Sequence, residues 1–116
     1  MGNDKCLFCR IVNGEIPAKK VYEDGDVVAF NDINPQAPTH VLIIPRRHIP
    51  SLDDVTDAEA TLIGTVLARS ALIARDLHLT SDGYRVVVNT GEAAGQTVFH
   101  IHFHILGGRN FGWPPG

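Results

Sequence analysis

The sequence predicts an α+β fold: one five-stranded antiparallel sheet with one long and one short helix, the helices covering one face. Three observations carry this. Short apolar runs bounded by turn residues read as strands. A single stretch, Asp57 to Leu77, repeats its apolar residues at the helical period. Helices and strands also mix without the regular βαβ alternation of a parallel sheet.

Taken in order, Cys6 to Asn13 reads as a short helix stopped by Gly14. Val21 to Glu23 and Val27 to Phe30 read as strands, and Asp24-Gly25 between them is a hairpin turn signal. Asn34 to Pro38 is a loop, and His40 to Ile44 a third strand stopped by Pro45. Thr56 with Glu59 forms a capping box before the long helix. Leu62, Ile63, Val66, Leu67, Ile73 and Leu77 fall in one stripe of that helix, which Ala60, Gly64 and Ala71 widen sideways. His78 closes it, where a cation complements the helix dipole. Asp82-Gly83 ends the next loop. Tyr84 to Asn89 is the fourth strand and Val98 to Leu106 the fifth.

A length of 116 residues points to one domain spanning 1–116. Ten Lys+Arg against thirteen Asp+Glu give a net charge of −3, which argues against broad electrostatic binding to nucleic acid. No apolar stretch approaches the roughly 20 residues of a membrane helix. Met1 to Cys6 lacks a secretory hydrophobic core, and the Met1-Gly2 start has Cys6 where a myristoylation signal needs Ser or Thr. The expectation is a cytoplasmic protein without a membrane partner. In a reducing compartment, Cys6 and Cys9 suggest a metal or redox pair rather than a structural disulfide.

The most informative segment is His100-Ile101-His102-Phe103-His104-Ile105-Leu106. Side chains alternate along a strand, so the three histidines are expected on one face and Phe99, Ile101, Phe103 and Ile105 on the other. Such a face could be a plain polar surface, a three-histidine metal site, or a nucleophilic imidazole with an orienting neighbour. The preceding loop, Asn89 to Thr97, favours nucleophilic catalysis. It joins two strands, carries Gly91 and Gly95, and can aim backbone N–H groups, an amide and a hydroxyl at an anion.

His100-Ile-His102-Phe-His104-Ile-Leu resembles the signature of the histidine triad superfamily, His-x-His-x-His-x-x with apolar x. Cys6-Leu-Phe-Cys-Arg-Ile-Val-Asn-Gly-Glu-Ile-Pro-Ala, Ala29-Phe-Asn-Asp-Ile-Asn-Pro-Gln-Ala-Pro-Thr-His and the terminal Trp113-Pro-Pro-Gly are similar to its Hint branch, so the likeness spans almost the whole chain. The resemblance implies a homodimer in which two five-stranded sheets join into a continuous ten-stranded one. It implies a purine nucleoside phosphoramidate hydrolase, acting on AMP-amine or acyl-AMP substrates through a nucleotidyl-histidine. His102 is then the nucleophile, His104 bonds the phosphate and assists the leaving group, and His40 supports them. Asn89, Gly95, Gln96 and Thr97 hold the phosphate, Asp32 the ribose hydroxyls, and Leu7, Phe8, Phe30, Ile33 and Leu42 the base. The terminus packs near the partner's site and tunes substrate choice.

Imidazole is largely neutral at pH 7, so this chemistry needs no catalytic metal. In zinc-containing members of the branch, the equivalent ligands are Cys6, Cys9, His48 and His100, a tetrahedral structural set tying the N-terminal helix to the catalytic strand. Thr97 stands where the branch often has Ser, and its β-branch restricts the hydroxyl's rotamer. Three rival readings are a dinucleoside polyphosphate hydrolase, a nucleotide-binding adaptor with incidental hydrolysis, and a zinc-binding redox module using Cys6 and Cys9.

Overall fold

Asp24 organises the first hairpin. Its Oδ1 accepts the N–H groups of Asp26 and Val27 at 2.8 and 3.0 Å, closing the turn between β1 (Lys20–Glu23) and β2 (Val27–Asn31). Its Oδ2 accepts the Tyr22 hydroxyl at 2.8 Å and Nε of Arg69 at 2.7 Å, tying the turn to the long helix. This computed structural model describes residues 3–116. The Met1-Gly2 start, read above against a lipidation signal, lies outside the described residues.

The remaining strands are β3 (Thr39–Pro45), β4 (Tyr84–Val88) and β5 (Phe103–Gly107). They form one five-stranded sheet in the order β1-β2-β3-β5-β4, antiparallel throughout. The short helix α1 is Leu7–Val12, with Cys6 as its N-cap and Asn13 as its C-cap. The long helix α2 is Ala60–Asp76, entered through a 3₁₀ turn at Asp57–Glu59. Its capping box forms as expected: Glu59 Oε1 accepts the Thr56 N–H at 2.8 Å, and the Thr56 hydroxyl accepts the Ala58 N–H. It ends with His78 in a left-handed conformation, φ 60°. Among the described residues no helix is long and apolar enough to cross a membrane.

The helices divide between the two faces of the sheet rather than sharing one. β2 and β3 are continuous apolar runs, so both sets of alternating side chains need cover. Val27, Ala29, Val41, Ile43, Phe103 and Ile105 pack under Val66, Ile73 and Ala74 of α2. Val28, Phe30, Leu42 and Ile44 pack under Phe8, Cys9 and Ile11 of α1. Leu67, expected in the buried stripe, is exposed; it lies about 100° around the helix from buried Val66.

The fifth strand is shorter than expected. Residues 98–102 are not in the ladder, and Phe99 is exposed instead of joining the core. The segment is held by other bonds: Ile101 N–H to Ile49 O at 2.7 Å, and His102 Nδ1 to the His100 carbonyl at 2.8 Å. A side chain that captures its neighbour's carbonyl competes with strand pairing. The alternation still holds from Ile101 to Ile105, whose apolar members lie in the α2 core.

Candidate active site

On β3, His40 lies opposite Leu106; on β5, His104 lies opposite Leu42. The two imidazoles are therefore diagonal neighbours on the α1 face. Their centroids are 5.1 Å apart, and His40 Nε2 lies 2.9 Å from His104 Nδ1. The His102 ring stands 5.2 Å from that of His104, and Phe8 of α1 meets His102 edge-on at 5.1 Å.

The backbone settles where the ring protons sit. The Gln36 N–H lies 3.0 Å from His40 Nδ1, and an N–H can only donate. His40 Nδ1 is therefore bare, and the neutral ring carries its proton on Nε2. That proton faces His104 Nδ1, so His104 keeps its own on Nε2. His102 Nδ1 lies 2.8 Å from the His100 carbonyl, which can only accept, so Nδ1 is protonated and Nε2 is bare. By the same rule His100 gives its Nε2 proton to the Pro45 carbonyl at 2.8 Å and has a bare Nδ1. Burial lowers the pKa of His102 and of His40, with Asp32 opposing in both cases. Burial, reinforced by His102 and His40, pushes His104 down to about 4. The three rings are neutral near pH 7.

His102 and His104 line a cavity of about 380 Å³ with Leu7, Phe8, Phe30, Asp32, Ile33, Leu42, Gly95 and Thr97. These expected site residues are thus brought to one place. Ile11, Ile16, Pro17, Ala18, Asn31 and Val98 also line it, and the sequence reading missed them. Ile11 had a signal, since it follows Leu7 by four residues on one helix. Asp32 accepts the Asn34 N–H on Oδ1 at 2.8 Å, an Asx turn, while Oδ2 lies 3.4 Å from His40 Nε2. Asn89 reaches the loop, with Nδ2 3.9 Å from where a Cβ on Gly95 would stand. Gly91 and Gly95 hold φ of 87° and 97°, which their lack of a Cβ permits.

Gln96, expected to hold the phosphate, has its side chain engaged by other groups. It is buried, its Oε1 accepts the Gly91 N–H at 2.9 Å, and its Nε2 donates to Pro50 O and Val98 O at 2.8 and 3.1 Å. Its backbone N–H goes to Gly91 O at 3.0 Å. Its donors are thus engaged by Gly91 and Val98 and, outside the loop, by Pro50, which ties the loop before Thr97 to the segment after β3.

Against Phe8 a second cluster forms. Cys6, Cys9, His48 and His100 sit close enough to hold a metal ion, with all four donor atoms within 4.8 Å of one another. His100 Nδ1 lies 3.5 Å from each sulfur and 3.3 Å from His48 Nδ1, which is 3.2 Å from Cys9 Sγ. Burial raises the Cys9 thiol pKa, a bias that a bound dication reverses. His100 therefore faces this cluster, not the cavity that receives His102 and His104. Asp32, His40 and His104 make a second compact group of potential ligands. There the His40 donor atom is occupied by a proton, because Gln36 fixes the tautomer.

The HIT domain model matches residues 13–111. The purine nucleoside phosphoramidase of Escherichia coli K12 is 45% identical over 109 residues, covering 94% of this chain and 92% of that one. An uncharacterised HIT-like protein of Synechocystis is 50% identical over 110 residues, covering 95% and 96%. The crystal structure of a HIT family hydrolase from Legionella pneumophila superposes with a TM-score of 0.95 at 51% identity, covering 97% of this chain and all of that one.

Proposed function

The chain belongs to the HIT domain family, and on that premise we propose that it is a purine nucleoside phosphoramidate hydrolase, acting on AMP-amine or acyl-AMP substrates through a nucleotidyl intermediate on His102. One observation carries the reading: His102 is buried beside the cavity with its Nδ1 proton held by the His100 carbonyl, leaving a bare Nε2. A neutral imidazole oriented by its other nitrogen is a competent nucleophile.

In the proposed reaction, His102 Nε2 attacks phosphorus and the bond to the leaving group breaks: in an AMP-amine the P–N bond, the amine leaving with the proton of His104 Nε2, and in an acyl-AMP the P–O bond, the carboxylate leaving without one. Water then cleaves the N–P bond and restores the ring. His104 offers its Nε2–H to the phosphoryl oxygens or the leaving nitrogen, and His40 holds that tautomer through its own Nε2–H. Donors aimed at the developing charge supply most of the acceleration in such transfers. Thr97 and the loop N–H groups border the phosphate, with Asn89 next to Gly95. Asp32 takes the ribose hydroxyls. Phe8, Phe30, Leu7, Leu42 and Ile33 enclose the base, with Ile33 wholly exposed at the rim until a ligand covers it.

We assign structural zinc to Cys6, Cys9, His48 and His100. Zn–N near 2.0–2.1 Å and Zn–S near 2.3 Å at tetrahedral angles require N···N of about 3.3 Å and S···N of about 3.5 Å. The separations here, 3.3 Å between nitrogens and 3.2–3.5 Å to sulfur, fit that frame. Held by these four residues, the ion would cross-link α1, the segment after β3 and the segment before β5. The homodimer is proposed through β4, the open edge next to β5, on which Val86 is exposed; sedimentation of a monomer at working concentration would remove it.

The deciding experiment is intact-mass spectrometry of protein quenched during turnover of an AMP phosphoramidate. The expected result is an added nucleotidyl group mapped to His102 and absent from His102→Ala. Equal turnover by wild type and His102→Ala would sink the mechanism. Faster cleavage of a diadenosine polyphosphate than of the AMP-amine would favour the neighbouring hydrolase class.

A further inference from the structure

We infer that the metal cluster and the nucleotide cavity are energetically linked, so that zinc tightens nucleotide binding and the nucleotide tightens zinc. The inference rests on the nucleotide reading above and concerns what connects the two sites. Two connections are visible. The first is α1, a helix of only six residues that cannot hold its shape alone. Its N-cap is the Cys6 sulfur, which accepts the backbone N–H of Cys9 at 3.4 Å, so one thiol of the cluster caps the first turn and the residue carrying the other stands in that turn. Between them in sequence stand Leu7 and Phe8, which line the cavity. Fixing the sulfurs therefore fixes the wall of the base pocket.

The second connection is residue 100. His100 offers its ring Nδ1 to the cluster and its backbone carbonyl to the His102 imidazole, at 2.8 Å. The Phe8 ring packs against a histidine of each site, its centroid 6.0 Å from that of His100 and 5.1 Å from that of His102, T-shaped to both. A ligand that orders one site removes ordering that the other would otherwise require, and this gives positive cooperativity without a large movement. The linkage is reciprocal, and both affinities must change by one factor. A cavity of about 510 Å³ bordered by Asn3, Cys9, Arg46 and His48 opens beside the cluster and shares no lining residue with the nucleotide cavity. Cys6, Cys9, His48 and His100 act in this scheme as positioning residues.

The test uses zinc-loaded protein and a chromogenic chelator, with AMP as the probe. Zinc transfer is followed with and without saturating AMP, and free zinc with AMP serves as the control. The expected result is a zinc affinity at least five-fold higher with AMP. Calorimetry should show AMP affinity falling by the same factor in stripped protein that circular dichroism finds folded. If stripping unfolds the chain, cobalt-loaded protein replaces it, and retention of the thiolate–cobalt absorption against chelator should rise at least five-fold with AMP. Transfer curves that superimpose while calorimetry records AMP binding would overturn the linkage alone. Absence of any AMP binding to zinc-loaded protein would overturn the nucleotide reading and the linkage together.

Discussion

Replacing Gln96 by Ala separates a loop-forming role from a phosphate-holding one. The substitution strands the partners of three half-buried hydrogen bonds: the Gly91 N–H, the Pro50 carbonyl and the Val98 carbonyl. A hydrogen bond contributes about 0.5–1.5 kcal/mol net, and a stranded buried partner costs about 1–3. Water reaching the opened loop relieves part of that, so the expected loss is about 2–4 kcal/mol. At about 3–5 °C per kcal/mol for a chain of this length, the melting temperature should fall by roughly 6–20 °C. Gln96→Glu should fare no better, because its second oxygen would face two carbonyls. Thermal unfolding by circular dichroism reads the loss, and steady-state hydrolysis of an AMP phosphoramidate, run well below the melting point, reads the site. A variant that melts within about 2 °C of wild type while KM rises ten-fold would show that Gln96 holds substrate and would refute the loop argument.

Three further outcomes follow from the structure. Burial lowers the His102 pKa, so its bare form persists further into acid, and the acid limb of kcat/KM should lie below the ordinary imidazole value of 6.5; a limb centred at pH 7 or above would contradict this. His104 has a folded pKa of about 4 against 6.5 for a free imidazole, so the unfolded chain binds more protons between those values. Stability tied to His104 is complete above about pH 6.5 and lost as pH falls toward about 4, at most about 3 kcal/mol; urea midpoints at pH 7 and 4.5 should therefore fall more for wild type than for His104→Gln. Asp24 resists ionisation through burial, but Arg69, the Asp26 and Val27 N–H groups and Tyr22 hold its carboxyl well below the usual range. Asp24→Ala should cost about 2–4 kcal/mol in urea unfolding, and a loss under about 1 would mean the turn closes without it.

What could be read from the chain was local. Gly14, Asp24-Gly25 and the Thr56–Glu59 box act within a few residues of themselves, and each appears where expected. Ile101, Phe103 and Ile105 followed from strand alternation alone. The failures lie where distant groups intervene. Phe99 is exposed because the chain is drawn out of the ladder before β5, with Ile101 bonded to Ile49 and His100 to Pro45. Gln96 reads as a phosphate ligand in a glycine loop, and the bond from its side chain to Pro50 O, 46 residues away, has no signal in the sequence. Nothing in the spacing of α1 says which sheet face it covers; that depends on the cysteines meeting His48 and His100.

The two groups of potential metal ligands show why proximity alone does not define a metal site. Both are compact, and both contain two imidazoles. In the cysteine cluster the His100 proton is committed to Pro45 O, so its bare nitrogen faces inward. In the Asp32, His40 and His104 group, a metal at His40 Nε2 would move the proton to Nδ1, directly against the Gln36 N–H. That loses a hydrogen bond and opposes two donors in a buried place, a cost of about 1–3 kcal/mol that the other cluster does not carry. Zinc added to stripped protein should therefore show one tight equivalent by calorimetry. Cys9→Ser should abolish it, and His104→Gln should leave it intact. A second tight equivalent that disappears in His104→Gln would mean His40 carries the opposite tautomer, and the relay drawn from Gln36 through His40 to His104 would have to be reversed.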